Sequence, residues 1–542
     1  MAKVNWPTQK KSDLKNKVLS KKRDIPFSTI KDEIPVPVYP DRPEFVELYW
    51  LAWELAWDHV MTNAGAPQSP YMDEAHSRDR IWYWDTCFMV CFCRYAPQHF
   101  PGIESLRNFY LPMLDDVPST LAIHHPDNPP MFAWVEYEYS KLTGDMDHLR
   151  WLLVENKYLQ RFFDFYEWID AANPPKQPPG SSRYAARRMP SPELIEEEGF
   201  PNELWGYQWG NLQSGMDNTP RSRGNQEPML WVDLLAQMTL AAESTIKLAR
   251  ILNSEEAKKI INEFTPKYES MKKLLNEYYW DEKDGIYYDL MMDLDNDGIP
   301  TSKVQPKKFC KVKTPAAYWA MLAGCCDEKQ AASMADWADD HEHGFGAPRP
   351  WVTVPRDDPD FVPDGHYWRG GIWLPTGYMA QKALDRYGFH DLAKKNAIAI
   401  LDLMYATYKN VETEENPDGD LEIATIWEAY SPTDDLPAAY KNRFMLSRPH
   451  FCGWSALGPI SLFIEDILGF HTINAHENLV IWRITHDSKH GIKQLRFGDN
   501  VADIVYQGNK IININSKFPF TLEVNGKRFA IREGNQEISI KR

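Results

Sequence analysis

Apolar residues recur at three- and four-residue spacing along most of this chain, and at two-residue spacing only near its end. The first pattern predicts twelve helices, at roughly 43–62, 85–96, 102–115, 129–143, 146–170, 228–252, 254–279, 314–324, 327–338, 370–387, 390–408 and 452–468. The connections alternate in length: those after the even helices are short, and those before the sixth, eighth, tenth and twelfth are long. Composition alternates with them. Thr314–Gly324 carries no charge and Cys452–Leu468 none before Glu465 and Asp466, whereas 254–279 and 390–408 place Lys and Glu along one side. Even helices therefore read as fully buried and odd ones as half-exposed. Helices alternating between an inner and an outer ring build an (α/α)6 barrel, or toroid, in which all the long loops emerge on one face. A two-domain helical protein is the alternative, which the regular alternation disfavours.

After residue 471 the period falls to two. Leu479-Val480-Ile481-Trp482, Ile511-Ile512-Asn513-Ile514 and Phe520-Thr521-Leu522-Glu523-Val524 read as strands, with Asn525-Gly526 as a tight hairpin turn. The expected fold is mainly α: an extended arm over 1–40, a catalytic (α/α)6 barrel over 41–470 and a small β-sheet or sandwich domain over 471–542. Asp293-Leu294-Asp295-Asn296-Asp297-Gly298 begins like a calcium loop, but Val304 stands where the bidentate acid is required, so a solvated turn is the expectation.

Composition narrows the partners. Of 542 residues 43% are hydrophobic and 21 are Trp, ample for one large core. A net charge of −17 argues against nucleic acid and anionic membrane, both of which want a basic face, and suits a neutral ligand. No apolar run reaches transmembrane length, and Met1–Arg23 is polar and basic without an apolar centre. The expectation is a cytoplasmic protein, or an exported one whose signal has been removed; nothing in the pattern points to an oligomeric state. The seven Cys are odd in number, and Cys87, Cys91, Cys93, Cys325 and Cys326 lie in apolar runs, so they read as buried thiols. No spacing matches a zinc site, and neither a metal nor another cofactor is expected.

The long loops hold the candidate chemistry. The first ends Arg78-Asp79-Arg80-Ile81-Trp82-Tyr83-Trp84-Asp85; the third carries Trp205, Tyr207, Trp209 and Gln213-Ser214-Gly215-Met216-Asp217-Asn218-Thr219-Pro220-Arg221. The fifth ends Gly365-His366-Tyr367-Trp368-Arg369-Gly370-Gly371-Ile372-Trp373, and the last holds Thr425–Pro432 and closes with Phe451 and Trp454. Aromatic faces for sugar C–H surfaces, with carboxylates and Arg for hydroxyls, are how a protein holds a carbohydrate, although long aromatic loops also pack simply over a barrel rim. Glycosidic hydrolysis needs one carboxyl kept protonated and a second to activate water or attack carbon. Asp217, near Trp209 and Met216, fits the acid; Glu428, between Trp427 and Tyr430, fits the base. Asp85 is a third candidate, and equally a residue that caps a helix start.

At these residues the chain resembles glycoside hydrolase family 63, which belongs with the trehalases among (α/α)6-barrel enzymes. The resemblance covers roughly 40–468. It rests on Trp84-Asp85-Thr86, Pro129-Pro130-Met131-Phe132-Ala133-Trp134, Ser214-Gly215-Met216-Asp217-Asn218-Thr219-Pro220, Tyr367-Trp368-Arg369-Gly370-Gly371-Ile372-Trp373 and Glu428-Ala429-Tyr430, in the family's order. It implies an inverting, exo-acting, α-glucosidase-like enzyme, with Asp217 as general acid and Glu428 as general base. Asp85 is then an acid binding hydroxyls of the terminal sugar, and Trp368 and Arg369 line the cavity. Trp84, Trp134, Trp209, Asn218, Trp427, Tyr430 and Trp454 complete the expected substrate-binding set.

Three rivals remain at this level: a non-catalytic carbohydrate-binding protein on the same fold, another (α/α)6 enzyme such as a trehalase, and a glycoside phosphorylase. A phosphorylase needs an anion site near the base, for which Arg443 and Arg448 are the nearby cations. A polysaccharide lyase would want an acidic substrate, which the net charge of −17 opposes.

Overall fold

Burial in the computed structural model follows the alternation seen in the sequence. The structure describes residues 18–74, 77–124, 129–168, 187–190, 204–222, 229–294, 300–411, 425–442, 446–484 and 486–540. Its principal helices are α1 (Pro43–Asp58), α2 (Tyr83–Cys93), α3 (Arg107–Asp115), α4 (Phe132–Thr143), α5 (Tyr158–Trp168), α6 (Val232–Leu252), α7 (Glu255–Leu274), α8 (Tyr318–Leu322), α9 (Glu328–Asp339), α10 (Leu374–Arg386), α11 (His390–Asn410) and α12 (Gly458–Ile467). Every residue of α2, α8 and α12 is buried, while α7 buries only Ala257, Ile260, Phe264 and Met271. A helix apolar all round must be enclosed, and one with a single apolar stripe covers others.

The buried helices pack in succession: α2 on α4, α4 on α6, α6 on α8, α8 on α10, α10 on α12, and α12 back on α2. The striped helices lie outside them, α7 against α6, α11 against α12 and α10, and α1 against α12 and α11. Arg94, deep among the inner helices, is bonded to Glu138 of α4 at 2.6 Å and Glu465 of α12 at 2.8 Å, so that buried charge is paired on both sides.

Several ends differ from expectation, each for a local reason. The helix expected over 43–62 stops at Asp58, because Val60–Thr62 turns into a strand paired with Tyr71–Met72. The one expected over 146–170 is broken at Lys157, whose φ of 54° leaves the helical region. The helix expected from 370 starts at Leu374, since Gly370 takes φ +123° and Pro375 sits in the first turn, where its missing N–H costs nothing. A hairpin over Asp289–Leu294 and Pro300–Cys310, joined to Met229–Leu230, was not read from the sequence at all. The suspected calcium-like turn lies mostly in 295–299, outside the described residues.

Four inner helical segments begin at tryptophan. Trp82, Trp231, Trp373 and Trp454 hold the cap positions of α2, α6, α10 and the short turn leading into α12, where Ser, Asp or Asn would be usual, and none makes a side-chain cap. The loops named above enter at this end.

The terminal residues form two sheets. One has strands in the order Thr472–Asn474, Leu479–Trp482, Phe520–Val524, Lys527–Ile531, and turns at Asn525 and Gly526 with φ of 48° and 82°. The other runs Val36–Val38, His490–Phe497, Asn500–Gly508, Ile511–Ser516, Gly534–Ser539. Its first strand comes from the N-terminal arm, pairing Val38 with Gly491 and Val36 with Lys493. Among the described residues no helix is long and apolar enough to cross a membrane.

Candidate active site

The Asp217 segment is built as a short helix, Asn211–Ser214, ended by Gly215 in the left-handed region at φ +79°. A Cβ there would meet the Trp84 ring at 2.9 Å, so glycine is required for both conformation and contact. The next turn closes with the Thr219 N–H bonded to the Met216 carbonyl at 2.9 Å. Arg221 anchors its far side: fully buried, it bonds Asp233 in the first turn of α6 and both oxygens of Asp289 on the hairpin. Asp217, between two fixed ends, remains half-buried.

Asn218 is spent on holding two loops together. Its side-chain oxygen accepts from the Trp368 N–H at 2.8 Å, its amide donates to the His366 carbonyl at 3.3 Å, and Arg369 Nε donates to its backbone carbonyl at 3.3 Å. Arg369 also reaches Asp360 at 3.4 Å. Tyr367, at φ 57°, hydrogen-bonds the Asp217 carboxylate. Beneath it Trp368 stacks on Trp373 at 4.2 Å, and Trp373 lies 5.6 Å from Trp454.

Glu428 is fixed by reciprocal bonds to Arg448. The Glu428 N–H donates to the Arg448 carbonyl at 2.9 Å, and the Arg448 N–H donates to Glu428 Oε2 at 3.1 Å. The Arg448 guanidinium, 57% exposed, stands 3.9 Å from Oε1. Trp454 donates its indole N–H to the Glu428 carbonyl at 2.9 Å, and Ser455 donates to that of Trp427 at 2.7 Å. Tyr430 bridges to Ile372 in both directions and accepts from the Trp427 N–H, tying this loop to the one that carries Tyr367.

The electrostatics join three carboxyl groups. Burial and then the charge of Glu428 push Asp217 up to about 7, against the opposing Tyr367 bond and Arg448. Burial likewise pushes Asp85 up to about 8, with the charges of Asp217 and Glu428 adding and Arg448 opposing. Glu428 is raised by burial but held back by the Arg448 guanidinium and N–H. One carboxyl disposed to stay protonated near neutrality and another beside a cation is the division of labour that acid–base chemistry needs.

The structure therefore brings together Asp85, Asp217 and Glu428, with Trp84, Asn218, Trp368, Arg369 and Trp454 around them. Trp209, Trp427 and Tyr430 are enclosed in the walls, Trp209 edge-on to Trp231 at 6.4 Å. Trp134 packs between Phe88 and Trp319 and lines a different cavity, beside Asp385 and His471. The Trp205 side chain and Arg443 fall outside the described residues.

Three groups here were absent from the sequence-derived site: Tyr367, Arg448 and Glu74. Glu74 follows strand Tyr71–Met72, is 3% exposed, and has one oxygen without a hydrogen-bond partner. Burial, then Asp73 and Asp85, hold its carboxyl well above the usual range. Tyr367 and Arg448 stood within quoted loops; Glu74 had no signal beyond adjoining Asp73.

Residues 204–451 match the family described as the mannosylglycerate hydrolase MGH1-like glycoside hydrolase domain. An uncharacterized protein of Borreliella burgdorferi is 23% identical over 501 residues, covering 89% of this chain and 91% of that one. A mannosyl-oligosaccharide glucosidase of Saccharomyces cerevisiae is 26% identical over 298 residues, which is 51% of this chain and 32% of the yeast protein. The chain thus spans about a third of the curated glucosidase it matches. A solved sialidase structure superposes with a TM-score of 0.59 at 13% identity, covering 97% of this chain and 42% of that one, a likeness of fold.

Proposed function

We propose that the chain, whose residues 204–451 match a glycoside hydrolase domain, is a family 63 enzyme, an inverting, exo-acting α-glycosidase whose catalytic pair is Asp217 and Glu428. The closed succession of α2, α4, α6, α8, α10 and α12 supports reading the body, 41–470, as an (α/α)6 barrel, with 471–542 as an appended β domain. The observation that carries the catalytic reading is electrostatic. Asp217, half-buried and pushed up to about 7, has Glu428 as its chief charged neighbour, although the two lie on separate loops.

In the proposed reaction the Asp217 carboxyl gives its proton to the glycosidic oxygen as the bond from that oxygen to the anomeric carbon breaks. Glu428 takes a proton from a water whose oxygen bonds to the opposite face of the same carbon. This geometry needs the carboxyl groups about 6.5–9.5 Å apart. Asp85, itself disposed to be protonated, offers a donor to a sugar hydroxyl.

The substrate proposed first is an α-linked glucoside, the class in the name of the yeast relative. A second reading, a mannosylglycerate-type substrate, is favoured by the family match and by the half-exposed Arg448 guanidinium, which suits a carboxylate beyond the scissile bond. The test is release of monosaccharide from α-glucosides, α-mannosides and mannosylglycerate, with the first-formed anomer read by proton NMR. An α-linked substrate should yield the β-anomer, and Asp217→Asn and Glu428→Gln should each lower turnover by about three orders of magnitude or more. A first-formed α-anomer, or near-normal rates in either variant, overturns the assignment. Turnover that requires inorganic phosphate identifies a phosphorylase instead.

A further inference from the structure

At the other cavity, where Trp134 lies, Asp385, His390 and His471 come together from three elements: the end of α10, the first residue of α11, and the residue before strand Thr472–Asn474. Nδ1 of His390 is 2.9 Å and Nδ1 of His471 is 3.6 Å from the same oxygen, Oδ1 of Asp385. One donor atom from each of the three lies within 4.8 Å of the others. The imidazole ring centres lie 4.2 Å apart, tilted by 38°. Gly388, at φ +83°, makes the tight turn that sets α10 against α11.

A fourth group points the same way. Asp466 of α12 is 1% exposed, and its side chain is hydrogen-bonded to that of Asp385. His390, His471 and Lys382 already face Asp385, and a divalent cation would compensate it and the Asp466 carboxyl together. Lys382, the neighbouring cation, is bonded to Glu465 at 2.7 Å and approaches Asp385 only to 3.6 Å.

The geometry points to a divalent metal site, with His390, His471 and Asp385 as ligands and Asp466 completing the set. Two imidazoles with carboxylate oxygen suit zinc, whose bonds of about 2.0–2.2 Å place tetrahedral ligands about 3.3–3.6 Å apart; His471 already stands at that spacing from Asp385, and His390 has to draw back from it by a few tenths of an ångström. The adjoining cavity of about 360 Å³ gives an ion a way in. Bound there, zinc fastens the α10–α11 hairpin and α12 to the start of the C-terminal sheets, apart from the sugar-cleaving carboxyls.

The test uses the full chain, stripped with chelator and reloaded with zinc. One zinc per chain should survive desalting, and Tm should rise with the logarithm of free zinc. His471→Gln and His390→Ala should lose both effects. The inference fails if the wild-type chain retains no zinc, if its Tm ignores zinc, or if the His variants retain zinc equally. It also fails if Asp466→Asn keeps the Tm of zinc-loaded wild type in chelator, for then a shared proton is what the carboxyls hold. The wild-type measurements stand even where a variant fails to fold, and none depends on glycosidase activity.

Discussion

The proposed acid, Asp217, has to be kept from losing its proton early, and burial and the Glu428 charge favour this while Tyr367 and Arg448 work against them. Tyr367→Phe removes the bond that favours the anion, so the alkaline limb of kcat/KM, read from its pH profile, should move upward. Glu428→Gln removes the raising charge, so the limb of the residual activity should move downward. An unmoved limb in both would detach the limb from Asp217. Asp85 allows a stability test. Its carboxyl ionises near 4 in the unfolded chain and at about 8 when folded. The folded state therefore binds the extra proton between those values, and the cost of ionising it grows with pH across that window. Asp85→Asn should raise Tm most above pH 8, with the advantage shrinking toward pH 4. Asp217 and Glu428 stand out as candidates in the sequence because each sits in a short motif of aromatic and small residues. Glu74 does not, because an acid after a strand is ordinarily solvated, and only the fold reveals that Gly453 closes over it, where a Cβ would stand 2.7 Å from the Glu74 Cβ.

At the scale of elements, the segment bearing Asp217 depends on its two fixed ends. Arg221→Met leaves Asp233 and Asp289 buried without their cation and should cost about 3–5 kcal/mol, measured by denaturant unfolding. Gly215→Ala meets the Trp84 ring from a backbone conformation that alanine resists. It should cut kcat more than it lowers Tm, since the strain falls on the loop and not on the inner helices. Periodicity found the twelve principal helices among the described residues, though not the short one at Asn211–Ser214, because their burial is so uneven: α12 is apolar until Glu465, and α7 on only one side. It missed the hairpin at Asp289–Cys310, whose long second strand, PTSKVQPKKFC, is rich in Lys and Pro and lacks the alternation that marks a strand. It also missed the break at Lys157, where a left-handed residue in an otherwise helical pattern has no glycine to announce it.

For the whole molecule, the strand Val36–Val38 matters beyond its length, because it completes a sheet otherwise made entirely of residues 490–539. Deleting residues 18–40 should loosen that sheet before the inner helices, seen as early proteolytic cuts beyond residue 471 in a chain that keeps its far-ultraviolet helical signal. The same pairing sets a timetable for synthesis. Val36–Val38 leaves the ribosome long before its partner strand at Gly491–Lys493, which is made some four hundred and fifty residues later. α1 waits almost as long for α12. At about 5–20 residues per second that interval lasts roughly 20–90 seconds. Through it the first helix carries Phe45 and Tyr49 without Phe463 of α12, whose ring both will meet. A nascent chain with so long a wait is an obvious client for chaperones that shelter apolar segments, and ribosome profiling of such factors should find them arriving as α1 emerges and leaving only after the last strands.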